Sequence, residues 1–255
     1  MTVTSVTSIA PARGRLGRYA LWHLRDYLRD KGVATLITLA LVGYLTQIPI
    51  MRARSQGLGG AMMDQIADQA FISGLKFLGF IGILFATNGI VSDDRRHGYY
   101  RLLFAKPVSV VAFYAQKWAV YGAGFLIVAA ALLGLYAAAV EPFFPRAYLP
   151  TIGLIWVALG GIGFLLSAAW RFDWLSLAAV VGISDVLWML FGRDDGPAGA
   201  LVRLLPPVHL LDGVYTAVRE GGEVLVGDVL WLGGYGLACF LLGLVVVRQR
   251  PLAGS

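Results

Sequence analysis

The sequence predicts an all-α integral membrane protein with six transmembrane helices. Three observations carry this: 58% of the 255 residues are hydrophobic, only 14% are charged, and the apolar residues are gathered into long blocks. A soluble domain carries roughly 25% charged residues, and the blocks approach the roughly 20 residues that a helix needs to cross the hydrocarbon core. A mean hydropathy of +0.72 agrees. Lipid is the solvent that such a chain requires.

Residues 1–32 form the first region. Met1–Pro11 is rich in Ser and Thr and reads as disordered. From Arg15 to Lys31, Leu16, Tyr19, Ala20, Leu24, Tyr27 and Leu28 recur at spacings of three and four, with Arg18, Arg25 and Arg29 opposite. That pattern predicts an amphipathic helix lying in the membrane interface, where Tyr19, Trp22 and Tyr27 suit the headgroup level. The competing reading is a disordered basic tail. No uninterrupted apolar stretch followed by a small-residue cleavage site occurs here, so a cleaved signal peptide is not expected.

Residues 33–247 form the membrane region, with spans expected at Val33–Ile50, Phe71–Val91, Ala119–Val140, Leu149–Trp170, Leu175–Phe191 and Val229–Val247. The third, fourth and sixth hold no charged residue, the second carries Lys76 and the fifth carries Asp185. Small residues cluster in the spans, as at Gly160, Gly161 and Gly163 and at Gly233, Gly234 and Gly236, and such clusters let helix backbones approach closely. Gly192–Asp228 mixes Leu204, Leu205, Val208, Leu210 and Leu211 with the pair Pro206 and Pro207. This predicts re-entrant half-helices before span 6, which are tolerated at membrane depth only where protein or water satisfies the freed backbone groups. They are a candidate outer gate. Residues 248–255 are a short C-terminal tail.

Six spans place both termini on one side. Fourteen Lys/Arg residues fall in the segments on that side and six on the other, so the positive-inside bias puts both termini in the cytoplasm of a multi-pass inner (plasma) membrane protein. The formal charge of +6 is spread over short segments between apolar blocks. Attraction to the membrane surface accounts for it better than nucleic acid does. Cys239 is the one cysteine and has no partner for an intrachain disulfide.

After the second span the chain reads Val91-Ser92-Asp93-Asp94-Arg95-Arg96-His97-Gly98-Tyr99-Tyr100-Arg101-Leu102-Leu103-Phe104-Ala105-Lys106-Pro107-Val108-Ser109, with Lys117 eight residues on. Asp93 and Asp94 favour the positive end of a helix dipole, and Pro107 ends a helix, so a short exposed cytoplasmic helix is expected between spans 2 and 3. Gly98 permits a sharp bend or a close contact. An ordinary positive-inside loop is the bland alternative. The pattern resembles the signature of permease subunits of type-2 ABC exporters: an acidic residue, Arg, two variable positions and Gly; a Leu-Leu pair; Pro, a β-branched residue and Ser; then a Lys opening the third span. Asp94, Arg95 and Gly98, then Leu102 and Leu103, then Pro107, Val108, Ser109 and Lys117 match it in order and spacing. Asp94 stands where Glu is usual, and Tyr99, Tyr100 and Arg101 replace Thr, an aliphatic residue and Glu.

The resemblance implies a coupling helix that docks a separate cytosolic ABC ATPase through Asp94, Arg95, Arg96, Gly98, Leu102, Leu103 and Pro107. It implies a dimer with a second permease copy or a paralogue, and ATP and Mg on the partner subunit only. The residues agree in part, because no Gly-x-x-x-x-Gly-Lys-Ser/Thr loop occurs, and neither a nucleophile–base pair nor metal-ligand spacing is present. His23, His97 and His209 read as surface or interfacial residues. Asp185 is the one carboxylate well inside a span, and an intramembrane acid is a functional candidate by default. It is read either as a transport or gating residue or as a packing residue paired with Lys76. An ion-coupled secondary transporter using Lys76 and Asp185 is the principal alternative, although the repeats with matching broken spans that such proteins show are not evident. A membrane-embedded enzyme and a non-transporting membrane anchor are further alternatives.

Overall fold

The computed structural model describes residues 13–57, 60–96, 109–139, 146–170, 173–194, 196–220 and 224–249. All regular structure among them is helical, and five helices are long and apolar enough to cross a membrane. A central cluster of buried apolar side chains runs from Tyr27 and Phe71 through Phe125, Ile155 and Phe164 to Val247.

Helix α1 (Arg13–Tyr27) is the amphipathic segment that precedes the first expected span. It continues through a π turn at Leu28–Gly32 into α2 (Val33–Ser55), with helical dihedrals at both junctions (Tyr27 φ −55°, ψ −51°; Val33 φ −64°, ψ −46°). Nothing in Leu28-Arg-Asp-Lys-Gly32 forbids helical backbone, and only a proline or an unsatisfied amide would have forced a break. One face of α1 is covered by protein. His23 meets the edge of Phe113 at 5.3 Å and Tyr27 packs on Tyr121 at 5.0 Å. Leu21 and Trp22 stay exposed.

The second helix begins well before the expected Phe71. Helix α3 (Gly60–Phe77) passes through a π turn (Leu78–Gly82) into α4 (Ile83–Thr87). Gly89, with φ at +74°, turns the chain out of it, and a Cβ there would lie 1.8 Å from an Asp93 carboxylate oxygen. Glycine is therefore required on two counts. Helix α5 (Ser92–Arg96) follows, and its leading amides, Val91 and Ser92, donate to the buried Ser167 Oγ at 3.1 and 3.3 Å. A serine from a distant helix thus does what an N-cap does locally.

Helix α6 (Val110–Ala139) has 30 residues, starting nine before the expected span. Ser109 opens it, accepting from the Ala112 amide at 3.4 Å. Helix α7 (Tyr148–Ile155), a π turn (Trp156–Gly160) and α8 (Gly161–Ala169) form one continuous buried rod that ends where Trp170 becomes extended. Helix α9 (Asp173–Phe191) is largely exposed, with Ile183, Val186, Met189 and Leu190 open. Helices α10 (Pro197–Val202) and α11 (Leu210–Glu220) are short, and α12 (Val226–Gln249) closes the bundle. Between α10 and α11, the buried Pro206 and Pro207 line a small pocket together with Ala158, Leu159 and Ile162, from the middle of the α7–α8 rod. The Tyr215 hydroxyl of α11 presses on Gly79 in the α3–α4 π turn.

The tightest crossing joins α8 to α12. A Cβ on Gly161 would lie 2.0 Å from the Gly236 carbonyl oxygen, and one on Gly236 would lie 2.2 Å from that of Val157. Backbone cannot give way as a side-chain tip can. Gly236→Val is therefore expected to cost roughly 1–3 kcal/mol or more and to lower the unfolding temperature of the purified protein. Gly234→Val, at a position with open space around it, should leave it unchanged, and equal unfolding temperatures for the two variants would contradict the crossing.

Candidate functional site

Lys117 lies two turns into α6, where its side chain is largely buried. Its Nζ is 2.8 Å from Asp94 Oδ2, with the two side chains only 6% and 12% exposed. An uncompensated charge at such a depth would cost several kcal/mol, so the pair fixes α5 against α6. Two tyrosine rings of α6 flank the ammonium, Tyr114 at 6.0 Å and Tyr121 at 5.8 Å from their centroids. These distances are at the outer reach of cation–π attraction.

Helix α1 closes the other side. His23 is 4% exposed, and its Nε2 has no hydrogen-bond partner among the described residues. Burial first, and then the Lys117 charge, push its pKa down to about 4 against the opposing pull of Asp94. The ring is therefore neutral at pH 7. Burial likewise raises the Tyr27 phenol above its usual range. From the π turn after α1, Lys31 donates to the Asn88 carbonyl and sits 5.0 Å from the Tyr121 centroid. Asn88 and Gly89 form the exit from α4, so α1, the α4–α5 corner and α6 meet at one place. A cleft of about 210 Å³ opens between them, with Asp26, Asp30, Asp93 and Asp94 and the two lysines in its wall.

Of the residues singled out from the sequence, the structure brings together Asp94 and Lys117. Arg95 is half-buried beside them, and Arg96 ends α5. Gly98, Leu102, Leu103 and Pro107 lie outside the described residues, as does His97. Pro206 and Pro207 are buried beside the α7–α8 rod. Lys76 and Asp185 do not pair. Lys76 Nζ is 2.8 Å from Asp212 Oδ1 of α11, with both side chains largely exposed, whereas Asp185 is on the open side of α9. Near Asp185, His209 stacks on Trp188 with centroids 3.4 Å apart and planes 6° from parallel, and burial lowers the His209 pKa. His23 is accordingly a buried residue and not a surface one, whereas His209 is half-buried against Trp188.

Three contributors escaped the sequence reading. His23 carried only the α1 periodicity as a signal. Lys31 looked like one more basic flank of a span. Ser167 sits in an apolar run with nothing to mark it as a cap. Asp212 was also missed, although its place at the start of an amphipathic helix was visible. Comparison of the chain with protein-family models, with curated proteins and with solved structures finds no match.

Removing one partner of the buried pair leaves the other charge uncompensated, so Lys117→Met or Asp94→Asn should each destabilise by about 3–5 kcal/mol. The double variant Asp94→Leu/Lys117→Met should recover most of that loss, since an apolar pair of similar volume needs no compensation. Denaturation in detergent checks this, and a double variant as unstable as the two losses added would contradict it.

His23 gives a pH signature. Its folded pKa, near 4, lies below the ordinary value of 6.5, so between these pH values the unfolded chain binds more protons. Stability is full above pH 6.5 and falls as the pH drops through this window. His23→Phe should flatten that part of the pH–stability curve, measured as unfolding temperature from pH 7 to pH 4, and an unchanged slope would show that His23 is not its source.

Proposed function

We propose that this chain is the membrane-spanning subunit of an ATP-driven transporter, an exporter, whose ATPase is a separate cytosolic polypeptide. In this reading α2, α3–α4, α6, α7–α8, α9 and α12 are six spans, both termini face the cytoplasm, and the protein resides in the plasma membrane. The α10–α11 segment, bent at Pro206 and Pro207, is the re-entrant outer gate. The pathway runs along the interface with a second copy or a paralogue.

The observation that carries the reading is the buried Asp94–Lys117 ion pair. These two residues are the acidic position and the lysine of the motif, and their union ties the start of the Asp94–Pro107 docking segment to the base of the third span. A docking helix can transmit force only if it is anchored to a span, and this pair is such an anchor. ATP-driven closure of two docked ATPases would then shift two permeases between inward and outward states. Nucleotide drives that shift only through its differential binding to the two states. The chain itself supplies no ATP-binding loop, so ATP and Mg belong to the partner.

Affinity purification of the full chain in mild detergent, followed by mass spectrometry, tests the proposal. An ABC-type ATPase should co-purify, and Gly98→Trp, which places a bulky side chain in the docking segment, should reduce its recovery at least tenfold at equal permease yield. A chain that purifies without an ATPase under several gentle conditions would overturn the reading.

A further inference from the structure

The surface of the bundle is of two chemical kinds. Along α9 the open side chains include Ile183, Val186, Met189 and Leu190, with Asp185 as a charged exception, and acyl chains accept such a surface. Where α3 meets α11 the pattern is reversed. On α3 the exposed residues Gln65, Gln69 and Lys76 follow one another at four- and seven-residue spacing, so they share one face of the helix. Helix α11 packs on α3 and α7 and buries Leu211, Val214, Tyr215 and Val218 against the bundle. Asp212 and Gly213 are exposed on its other side, with Thr216 half-buried beside them. The ion pair of Lys76 and Asp212, at 2.8 Å, joins the two polar faces and is itself open, its side chains 45% and 70% exposed.

Sliding α3 through the membrane does not bring this pair out of the hydrocarbon. The α3–α4 rod is helical without a break from Gly60 to Thr87, and any stretch of about 20 residues laid along it, the length that crosses the core, includes Lys76. Charge at that depth is costly against acyl chains, and intramembrane charges face a bundle interior or a water-filled cavity. A lysine by itself can reach out of the core on its flexible stem. Here, however, the ammonium meets a carboxylate of a second helix, whose outward side is polar and whose apolar side is already covered by protein. That is the amphipathic arrangement of a helix against water.

We propose that the shared face of α3 and α11 lines a water-filled vestibule that admits small hydrophilic solutes and excludes acyl chains. The vestibule goes beyond the transporter reading and stands without an ATPase, so failure of either leaves the other to be judged separately.

Cysteine labelling of the full-length chain in phosphatidylcholine vesicles tests the proposal. The buried Cys239 is first removed as Cys239→Ala. In that background Lys76→Cys, Gly213→Cys, Ile183→Cys and Val186→Cys are made singly and exposed, from both sides of the membrane, to a quaternary-ammonium methanethiosulfonate, a small hydrophilic cation that does not enter lipid. Lys76→Cys and Gly213→Cys should react at least tenfold faster than the two α9 variants. Cysteine is too short to snorkel, so reaction at position 76 reports water at the helix itself. Loss of an exposed ion pair costs the fold little, and Gly213 has open space around it, so both variants retain the structure being probed. Rates at positions 76 and 213 no faster than those on α9 would overturn the proposal and place this face against lipid or a second copy. Reaction at position 213 without reaction at 76 would overturn it equally, leaving α11 at the membrane surface with Lys76 reaching up to it from lipid.

Discussion

A lysine ammonium enclosed in an apolar bundle has to meet a carboxylate, and much of the local architecture follows from how the chain delivers one to Lys117. Asp94 can reach it only if the backbone leaves α4 abruptly and begins α5 at once. Gly89 supplies that turn from the left-handed region, in a space that no Cβ could share with Asp93. The amides exposed by starting a new helix inside protein are then satisfied by Ser167, from a helix 75 residues further along the chain. Two tyrosines flank the ammonium, and a histidine kept neutral closes it from α1. Four parts of the chain are thereby tied at one point. Loosening any of them would expose a charge or orphan a donor.

Away from that point the helices are held by proximity more than by polar contacts. In lipid the apolar effect gives helices little reason to prefer one another over acyl chains, so close van der Waals approach has to supply it. Glycine provides the approach at Gly161 and Gly236, backbone on backbone, and at Gly122 and Gly124, against which the Trp156 and Tyr27 rings pack. The three π turns, Leu28–Gly32, Leu78–Gly82 and Trp156–Gly160, each close on a glycine. Each inserts extra residues into the helical register, which re-aims the side chains beyond it. The turn at Leu28–Gly32 swings Lys31 toward Asn88. That at Leu78–Gly82 receives Tyr215, and that at Trp156–Gly160 receives the bend at Pro206 and Pro207.

The positions of the long helices were legible because blocks of about 20 apolar residues have few other uses. Their starts were less so. Helix α3 begins at Gly60 and α6 at Val110, ahead of the apolar blocks, because polar residues such as Asp68 or Gln116 lower hydropathy without disturbing helical hydrogen bonding. The continuity of α1 with α2 was hidden for the opposite reason. A change from amphipathic to uniformly apolar sequence looks like a boundary, yet the backbone has no cause to break there.

By itself the sequence determined the all-helical class, the apolar blocks, the asymmetry of basic residues and the spacing that sets Asp94 and Lys117 apart as notable. Composition and local periodicity are properties of the chain and survive any arrangement of it. Which charges meet was decided only in three dimensions. Lys76 was open to Asp185 and pairs instead with Asp212, while His23, read as surface or interfacial, is buried and Lys31 found a carbonyl across the bundle. Electrostatic pairing depends on separations of a few ångströms between different helices, and those are set by how the helices pack, which no spacing along a single strand of sequence encodes.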